Sequence, residues 1–142
     1  MRVVVDASVM LKWLLVDPLR EADTEHATTL MQSVVAGATD ILQPAHWLVE
    51  VGAVLARLSP DTAADDIEML YSMELPCCED PQVMRRGCEL AIASRQHLFD
   101  TLYHAVALET ADAVLVTADE RYLRAARHSG RLLALRDWQP AR

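Results

Sequence analysis

The stretch Arg2–Ser8, which reads RVVVDAS, determines the expected fold class. Its three consecutive valines, Val3–Val5, form a β-branched run that is too short and too uniform for an amphipathic helix. Such a run predicts a strand buried on both faces, as in a parallel sheet. The strand ends at Asp6, and open α/β sheets bind their ligands at the carboxyl ends of strands. On this stretch alone, the simpler interpretation is that Asp6 or Ser8 caps the following helix.

A second run of the same kind, AVLVT, covers 113–117 and is followed by Ala118 and Asp119. Because parallel strands end at one edge of a sheet, we expect Asp6 and Asp119 to meet there. Each would have a hydroxyl nearby, from Ser8 or from Thr117. Taken alone, Asp119 is again most simply explained as a helix cap.

The remaining sequence predicts helices that alternate with short strands. From periodicity, caps and proline positions, we place helices over 8–15, 19–36, 45–58, 61–73, 81–96, 99–110 and 119–129. Further short strands are expected at 41–42 and 132–135, and 74–79 could form an edge strand. This alternation predicts an α/β fold with a parallel sheet and right-handed crossovers, in one domain over 1–142.

The composition favours a globular cytoplasmic protein. Hydrophobic residues make up 52% of the 142 residues, which is enough for a real core. No apolar stretch reaches the ~18 residues of a membrane span, and we expect no signal peptide. Three cysteines, two of them adjacent, suit neither a disulfide framework nor a zinc site, so we expect a reducing cytosol. We interpret them as small buried hydrophobic residues.

The net charge of −8 is unfavourable for binding nucleic acid, because phosphate contacts need basic residues. Two explanations remain open. The acidic residues could be concentrated in a metal site, whose cations reverse the local field. Alternatively, the partner could be a basic protein.

Glu50 is predicted to face inward. It comes three residues after Trp47 and four before Val54, so it shares the apolar side of its helix. A charge in that position is costly unless it is paired or binds a metal. A buried salt bridge to an arginine is the alternative explanation.

Asp100 resembles Glu50 in its placement. It lies three residues before the apolar Tyr103 at the start of a helix, where the helix dipole favours a carboxylate. An ordinary N-terminal acid is the alternative. His104, one turn later, is interpreted as a surface histidine.

Four carboxylates at one edge would repel one another. At an effective dielectric of about 20, each pair ~5 Å apart would cost about 3 kcal/mol. A divalent cation would remove this repulsion, and all-oxygen ligands select Mg²⁺ or Mn²⁺. Such a site is typical of phosphoryl chemistry.

Four segments together resemble the PIN-domain nucleases, and most closely the VapC-type toxin ribonucleases of bacterial toxin–antitoxin pairs. They are VVVDASVMLKW at the start, QPAHWLVEVGAVL around Glu50, HLFDTLYHAVALE around Asp100 and AVLVTADERYLRAA around Asp119. The resemblance implies a three-layer α/β/α sandwich with a central parallel sheet. It also implies Mg²⁺- or Mn²⁺-dependent cleavage of RNA and a small cognate antitoxin as partner.

The resemblance assigns the catalytic and metal-binding roles to four acids and a supporting role to two hydroxyls. They are Asp6, Glu50, Asp100 and Asp119, with Ser8 and Thr117. The apolar residues of 61–96 predict a homodimer. Two alternatives remain open: a non-catalytic binding protein on the same fold, and an aspartate-based phosphotransfer or receiver domain.

Overall fold

The computed structural model of the protein describes residues 1–15 and 23–142. Its strands are Arg2–Val5 (β1), Asp40–Ile41 (β2), Gln43–Pro44 (β3), Cys77–Cys78 (β4), Ala113–Thr117 (β5) and Leu132–Ala134 (β6). Its α-helices are Ala7–Leu14 (α1), Thr24–Val35 (α2), Trp47–Leu58 (α3), Ala63–Ser72 (α4), Pro81–Ser94 (α5), Leu98–Glu109 (α6) and Glu120–Ala126 (α7). Two short 3₁₀ turns follow at Arg127–Ser129 and Leu135–Asp137.

The main sheet is parallel throughout, with the strand order β2-β1-β5-β6. Its two central strands are the valine-rich runs, and they pair with Val5 opposite Val116. The side chains of Val3–Val5 on β1 are buried, and helix α6 packs against this strand. The predicted α/β class and central parallel sheet are therefore confirmed.

Helices cover both faces of this sheet. Right-handed crossovers place α1 and α2 on one face, and α6 and α7 on the other. On that second face α6 packs against β1 and β5, and α5 packs against α6. The order of the layers is therefore α/β/α, and the carboxyl ends of β1 and β5 open between them.

A second, two-stranded sheet lies beside the main one. It pairs β3 with β4 in parallel, with Gln43 opposite Cys77. The possible edge strand over 74–79 is thus a strand of only two residues. The partner strand, β3, begins after the single residue that follows β2, and it lies just before α3 in the sequence.

Several predicted helix boundaries differ from those observed. The predicted end of the first helix and start of the second fall partly within 16–22, outside the described residues. The fourth helix begins at Ala63 with Thr62, not Asp61, at its N-cap. The predicted helix over 119–129 is α7 followed by a 3₁₀ turn, which ends at Gly130 with φ of 75°. Helix α5 begins as expected, with Asp80 accepting a hydrogen bond from Gln82 N.

The prediction that the cysteines are buried is wrong. Cys77 and Cys88 are exposed and Cys78 is half-buried, and all three thiols are free. Cys77 lies on a short edge strand, while Cys88 follows the buried Gly87 and so lies on the outer side of α5. The absence of a disulfide framework agrees with the sequence analysis.

Among residues 1–15 and 23–142, no helix is long and apolar enough to cross a membrane.

Candidate acidic site

Asp6 and Asp119 lie at the carboxyl edge of the central strands. Asp6 directly follows β1 and is only 7% exposed, and its backbone N donates to Val116 O over 3.1 Å. Asp119 follows β5 after one intervening residue and is half-buried. The parallel pairing of β1 with β5 therefore brings these two acids to one place.

Two hydroxyls fix the Asp6 carboxylate, and we call Ser8 and Thr117 the hydroxyl clamp. Ser8 Oγ donates to Asp6 Oδ2 over 2.6 Å, and Thr117 Oγ1 donates to the same oxygen over 3.1 Å. Each hydroxyl also accepts a backbone N–H, from Ala118 for Ser8 and from Asp119 for Thr117, both over 3.1 Å. Because those N–H groups occupy the acceptor side, both hydroxyl protons are directed at Asp6.

Both aspartates also cap helices. Asp6 Oδ2 accepts a hydrogen bond from Ser8 N over 3.3 Å at the start of α1. Asp119 Oδ1 accepts one from Tyr122 N over 3.0 Å at the start of α7. Helix capping and a place in the acidic site are therefore compatible for each aspartate. The capping hydrogen bond uses one carboxylate oxygen and leaves the other.

The carboxylates are close enough to affect one another's ionisation. Burial raises the pKa of Asp6 from 3.8 to about 6, and the charges of Glu50 and Asp100 add to this against the Ser8 hydrogen bond. Burial also raises the pKa of Asp100, with Glu50 and Asp119 as further causes. All four predicted acids thus belong to one electrostatic cluster.

Glu50 is on the first turn of α3, and its side chain is 18% exposed. The buried side of this helix is formed by Trp47, Val51 and Leu55. The basic side chain beside Glu50 is that of His46, whose Nε2 lies 3.1 Å from Glu50 Oε2, an ion pair when the imidazole is protonated. The alternative of a salt bridge to an arginine is therefore not the arrangement that the structure has.

The residues fit a divalent cation in their chemistry. The site offers carboxylate oxygens, which are ligands that Mg²⁺ and Mn²⁺ prefer. The contact of Glu50 Oε2 with His46 Nε2 is not a hydrogen bond, so this buried carboxylate oxygen can still accept a further partner. Within the described part of the chain, however, no three His, Cys, Asp or Glu side chains are already arranged to hold an ion.

His104 is not the surface residue that the sequence predicted. It is completely buried, and its Nε2 donates to Gly130 O over 2.7 Å. Its Nδ1 must then accept the Tyr122 hydroxyl, 2.9 Å away, because a neutral imidazole has one donor and one acceptor. Burial lowers the pKa of His104, in keeping with the neutral form. Residues Thr101–Ala107 are all buried, so this part of α6 has no solvent-exposed side. The predicted surface position of His104 is therefore wrong.

Gln43 is a positioning residue that the sequence analysis missed. It is fully buried, and its Oε1 accepts from Val5 N while its Nε2 donates to Val5 O, both over 2.8 Å. The side-chain amide thus continues the sheet hydrogen bonds where β2 ends. Because Val5 directly precedes Asp6, this pairing holds the last residue of β1 in place beneath the acid.

Comparison with known protein families gave a match to the PIN domain over residues 3–128. A comparison with curated proteins found no significant match. The matched region contains the two central strands, the hydroxyl clamp and all four acids of the cluster. PIN domains are generally nucleases, and those nucleases generally use divalent metals. The chain belongs to the PIN-domain family.

Proposed function

We propose that this protein is a Mg²⁺- or Mn²⁺-dependent endoribonuclease and the toxin of a toxin–antitoxin pair. The observation that carries the proposal is the acidic cluster: Asp6 and Asp119 follow β1 and β5, and Glu50 and Asp100, on the first turns of α3 and α6, raise the pKa of Asp6. Membership of a family of nucleases supports it, as does the likeness of the four segments to VapC-type toxins. The same membership disfavours a phosphotransfer or receiver domain.

In this proposal, each acidic residue of the cluster would have a distinct role. Asp6 and Asp100 would be the main ligands of the ion, Glu50 a ligand or the group that positions a water, and Asp119 a ligand directly or through water. The bound ion would supply an activated water and stabilise the leaving oxygen in hydrolysis of a phosphodiester. The hydroxyl clamp keeps Asp6 in one orientation, with Oδ2 fixed by Ser8 and Thr117.

The proposed protein partner is a basic antitoxin. With a net charge of −8, the protein gains little from electrostatic attraction to RNA, but it would attract a positively charged segment. An arginine placed among Asp6, Asp100 and Asp119 would replace the charge of the ion and block the site. If the protein encoded next to this one neither copurifies with it nor relieves its toxicity, this part of the proposal is wrong.

We also propose a homodimer that acts in the cytoplasm. Of the apolar residues noted over 61–96, Leu70 and Leu90 are in the core, whereas Tyr71, Met84 and Ile92 are exposed. An exposed apolar surface on α4 and α5 favours an interface, and free thiols suit a reducing compartment. A monomeric mass in solution at tens of micromolar would contradict the dimer.

The decisive experiment is incubation of the purified protein with total RNA in EDTA, Mg²⁺ or Mn²⁺. We expect cleavage only with a metal, and none from the Asp100→Asn variant. The alternative is a non-catalytic binding protein on the same fold. RNA that is bound but left intact under all three conditions would support that alternative and refute the nuclease.

A further inference from the structure

Three buried polar atoms in one small region have no hydrogen-bond partner. They are His46 Nδ1, Glu50 Oε2 and Tyr103 OH, and in the described part of the chain they are the buried side-chain atoms of this kind. Buried polar groups are normally hydrogen-bonded, so each exception needs an explanation such as a catalytic role or an absent ligand. His46 lies beside both Glu50 and Tyr103, so the three atoms belong to one part of the acidic cluster.

His46 approaches Glu50 from the outer side. Its Nε2 lies 2.9 Å from Phe99 O and 3.1 Å from Glu50 Oε2. Both oxygens are acceptors, so this nitrogen carries a proton, and the hydrogen-bond geometry favours the Phe99 carbonyl. The His46 ring also packs edge-on against Tyr103, with ring centroids 5.0 Å apart. These contacts place His46 beside both Glu50 and Tyr103.

Tyr103 approaches Glu50 from the buried side. It lies one turn after Asp100 on α6 and is completely buried. Burial raises its pKa, and the charges of Glu50 and Asp6 raise it further, so the hydroxyl remains a donor. The charge of Glu50 acts on this hydroxyl, yet neither the hydroxyl nor Glu50 Oε2 has a hydrogen-bond partner.

A phenylalanine would serve the core better than this tyrosine does. A buried hydroxyl without a partner is unfavourable, and the ring alone provides the apolar packing. The hydroxyl therefore has its use at the site that it faces. Rotation of the Glu50 side chain would complete a hydrogen bond to the Tyr103 hydroxyl and hold the carboxylate towards Asp6 and Asp100.

We infer that Tyr103 is a positioning residue, whose hydroxyl aligns the Glu50 carboxylate for binding of the metal ion. This inference rests on the proposed nuclease function. Groups that orient metal ligands in this way change metal affinity about 10- to 100-fold when they are removed. If Tyr103 had only a structural role, removal of its hydroxyl would change stability and leave metal affinity intact.

The test is the Tyr103→Phe substitution in the full chain, which keeps the ring and removes only the hydroxyl. Mn²⁺ affinity is measured by calorimetry, and melting temperature is measured in EDTA. We expect Mn²⁺ binding to weaken at least about tenfold, with the melting temperature unchanged or higher. Cleavage of RNA should slow through kcat, with little change in KM.

Tyr122→Phe is a matched control, because Tyr122 is also buried but its hydroxyl is bonded to His104 Nδ1 over 2.9 Å. We expect the control to melt at a lower temperature and to bind Mn²⁺ as the wild type does. If Tyr103→Phe behaves like this control, with lower stability and intact affinity, the inference is overturned.

A double substitution tests whether the effect passes through Glu50. In a Glu50→Gln background, Tyr103→Phe should cause little further loss of Mn²⁺ affinity. An additional loss as large as in the wild type would overturn the route through Glu50. A wild type that neither binds Mn²⁺ nor cleaves RNA refutes the nuclease itself, whereas an active wild type matched by Tyr103→Phe refutes only the role of Tyr103.

Discussion

Asp6→Asn should stabilise the metal-free protein at neutral pH. The folded state raises the pKa of this carboxyl from 3.8 to about 6, so ionised Asp6 disfavours folding above that pH. A shift of about 2 units corresponds to about 3 kcal/mol in the free energy of unfolding. Asparagine removes the charge, and its side-chain oxygen can still accept from the hydroxyl clamp of Ser8 and Thr117.

The sign of the pH dependence follows from the raised pKa. Between pH 6 and pH 4 the folded wild type takes up a proton at Asp6 that the unfolded chain binds only at lower pH. The contribution of Asp6 to stability therefore rises as the pH falls through this range. The advantage of Asp6→Asn should be about 3 kcal/mol at pH 7.5 and should mostly disappear at pH 4.

Urea unfolding in EDTA at pH 7.5, 5 and 4 measures this difference. Asp61→Asn is the matched control, since Asp61 is exposed and far less is expected from its neutralisation. Addition of Mn²⁺ should stabilise the wild type more than Asp6→Asn, because the ion offsets the unfavourable free energy of the buried Asp6 charge. A variant that is less stable than the wild type at pH 7.5 in EDTA would refute the argument from the raised pKa of Asp6.

Three further substitutions test other parts of the site. Glu50→Gln should abolish cleavage and weaken Mn²⁺ binding without lowering the melting temperature in EDTA, because the basic neighbour His46 keeps its hydrogen bond to Phe99 O; a strong destabilisation would contradict this. Ser8→Ala removes the 2.6 Å hydrogen bond that holds the pKa of Asp6 down, so the pH–rate profile for cleavage should move to higher pH. Gln43→Leu leaves the N–H and C=O of Val5 unpaired, and urea unfolding should show a loss of about 3 kcal/mol; a loss below ~1 kcal/mol would contradict the pairing.

The parts of the fold that were predictable depend on uninterrupted local patterns. The run AVLVT gave β5 at its observed bounds, because a buried parallel strand needs apolar side chains on both faces. Asp80 and Pro81 marked the start of α5 for a similarly local reason, the cap and the first turn. The edge that brings Asp6 and Asp119 together followed from the direction of two parallel strands.

The residues that the sequence did not reveal depend on contacts between distant segments. Gln43 completes a sheet ladder only because β2 ends at Ile41, and nothing near Gln43 in the sequence fixes that length. His104 bonds to groups 18 and 26 residues away, so its burial depends on how α6 meets α7 and Gly130. The contact of Glu50 with His46, one turn earlier on the same segment, was not among the alternatives that the sequence analysis considered.

The hydroxyl clamp can form only after both of its residues, Ser8 and Thr117, have been synthesised. Thr117, whose hydroxyl holds Asp6, is synthesised 111 residues after it. The backbone N–H groups that orient the two hydroxyls belong to Ala118 and Asp119, later still. A nascent chain that lacks β5 therefore has neither the Thr117 hydrogen bond to Asp6 nor the Asp119 carboxylate. During synthesis, the acidic cluster is incomplete until Asp119 has been added and β1 has paired with β5.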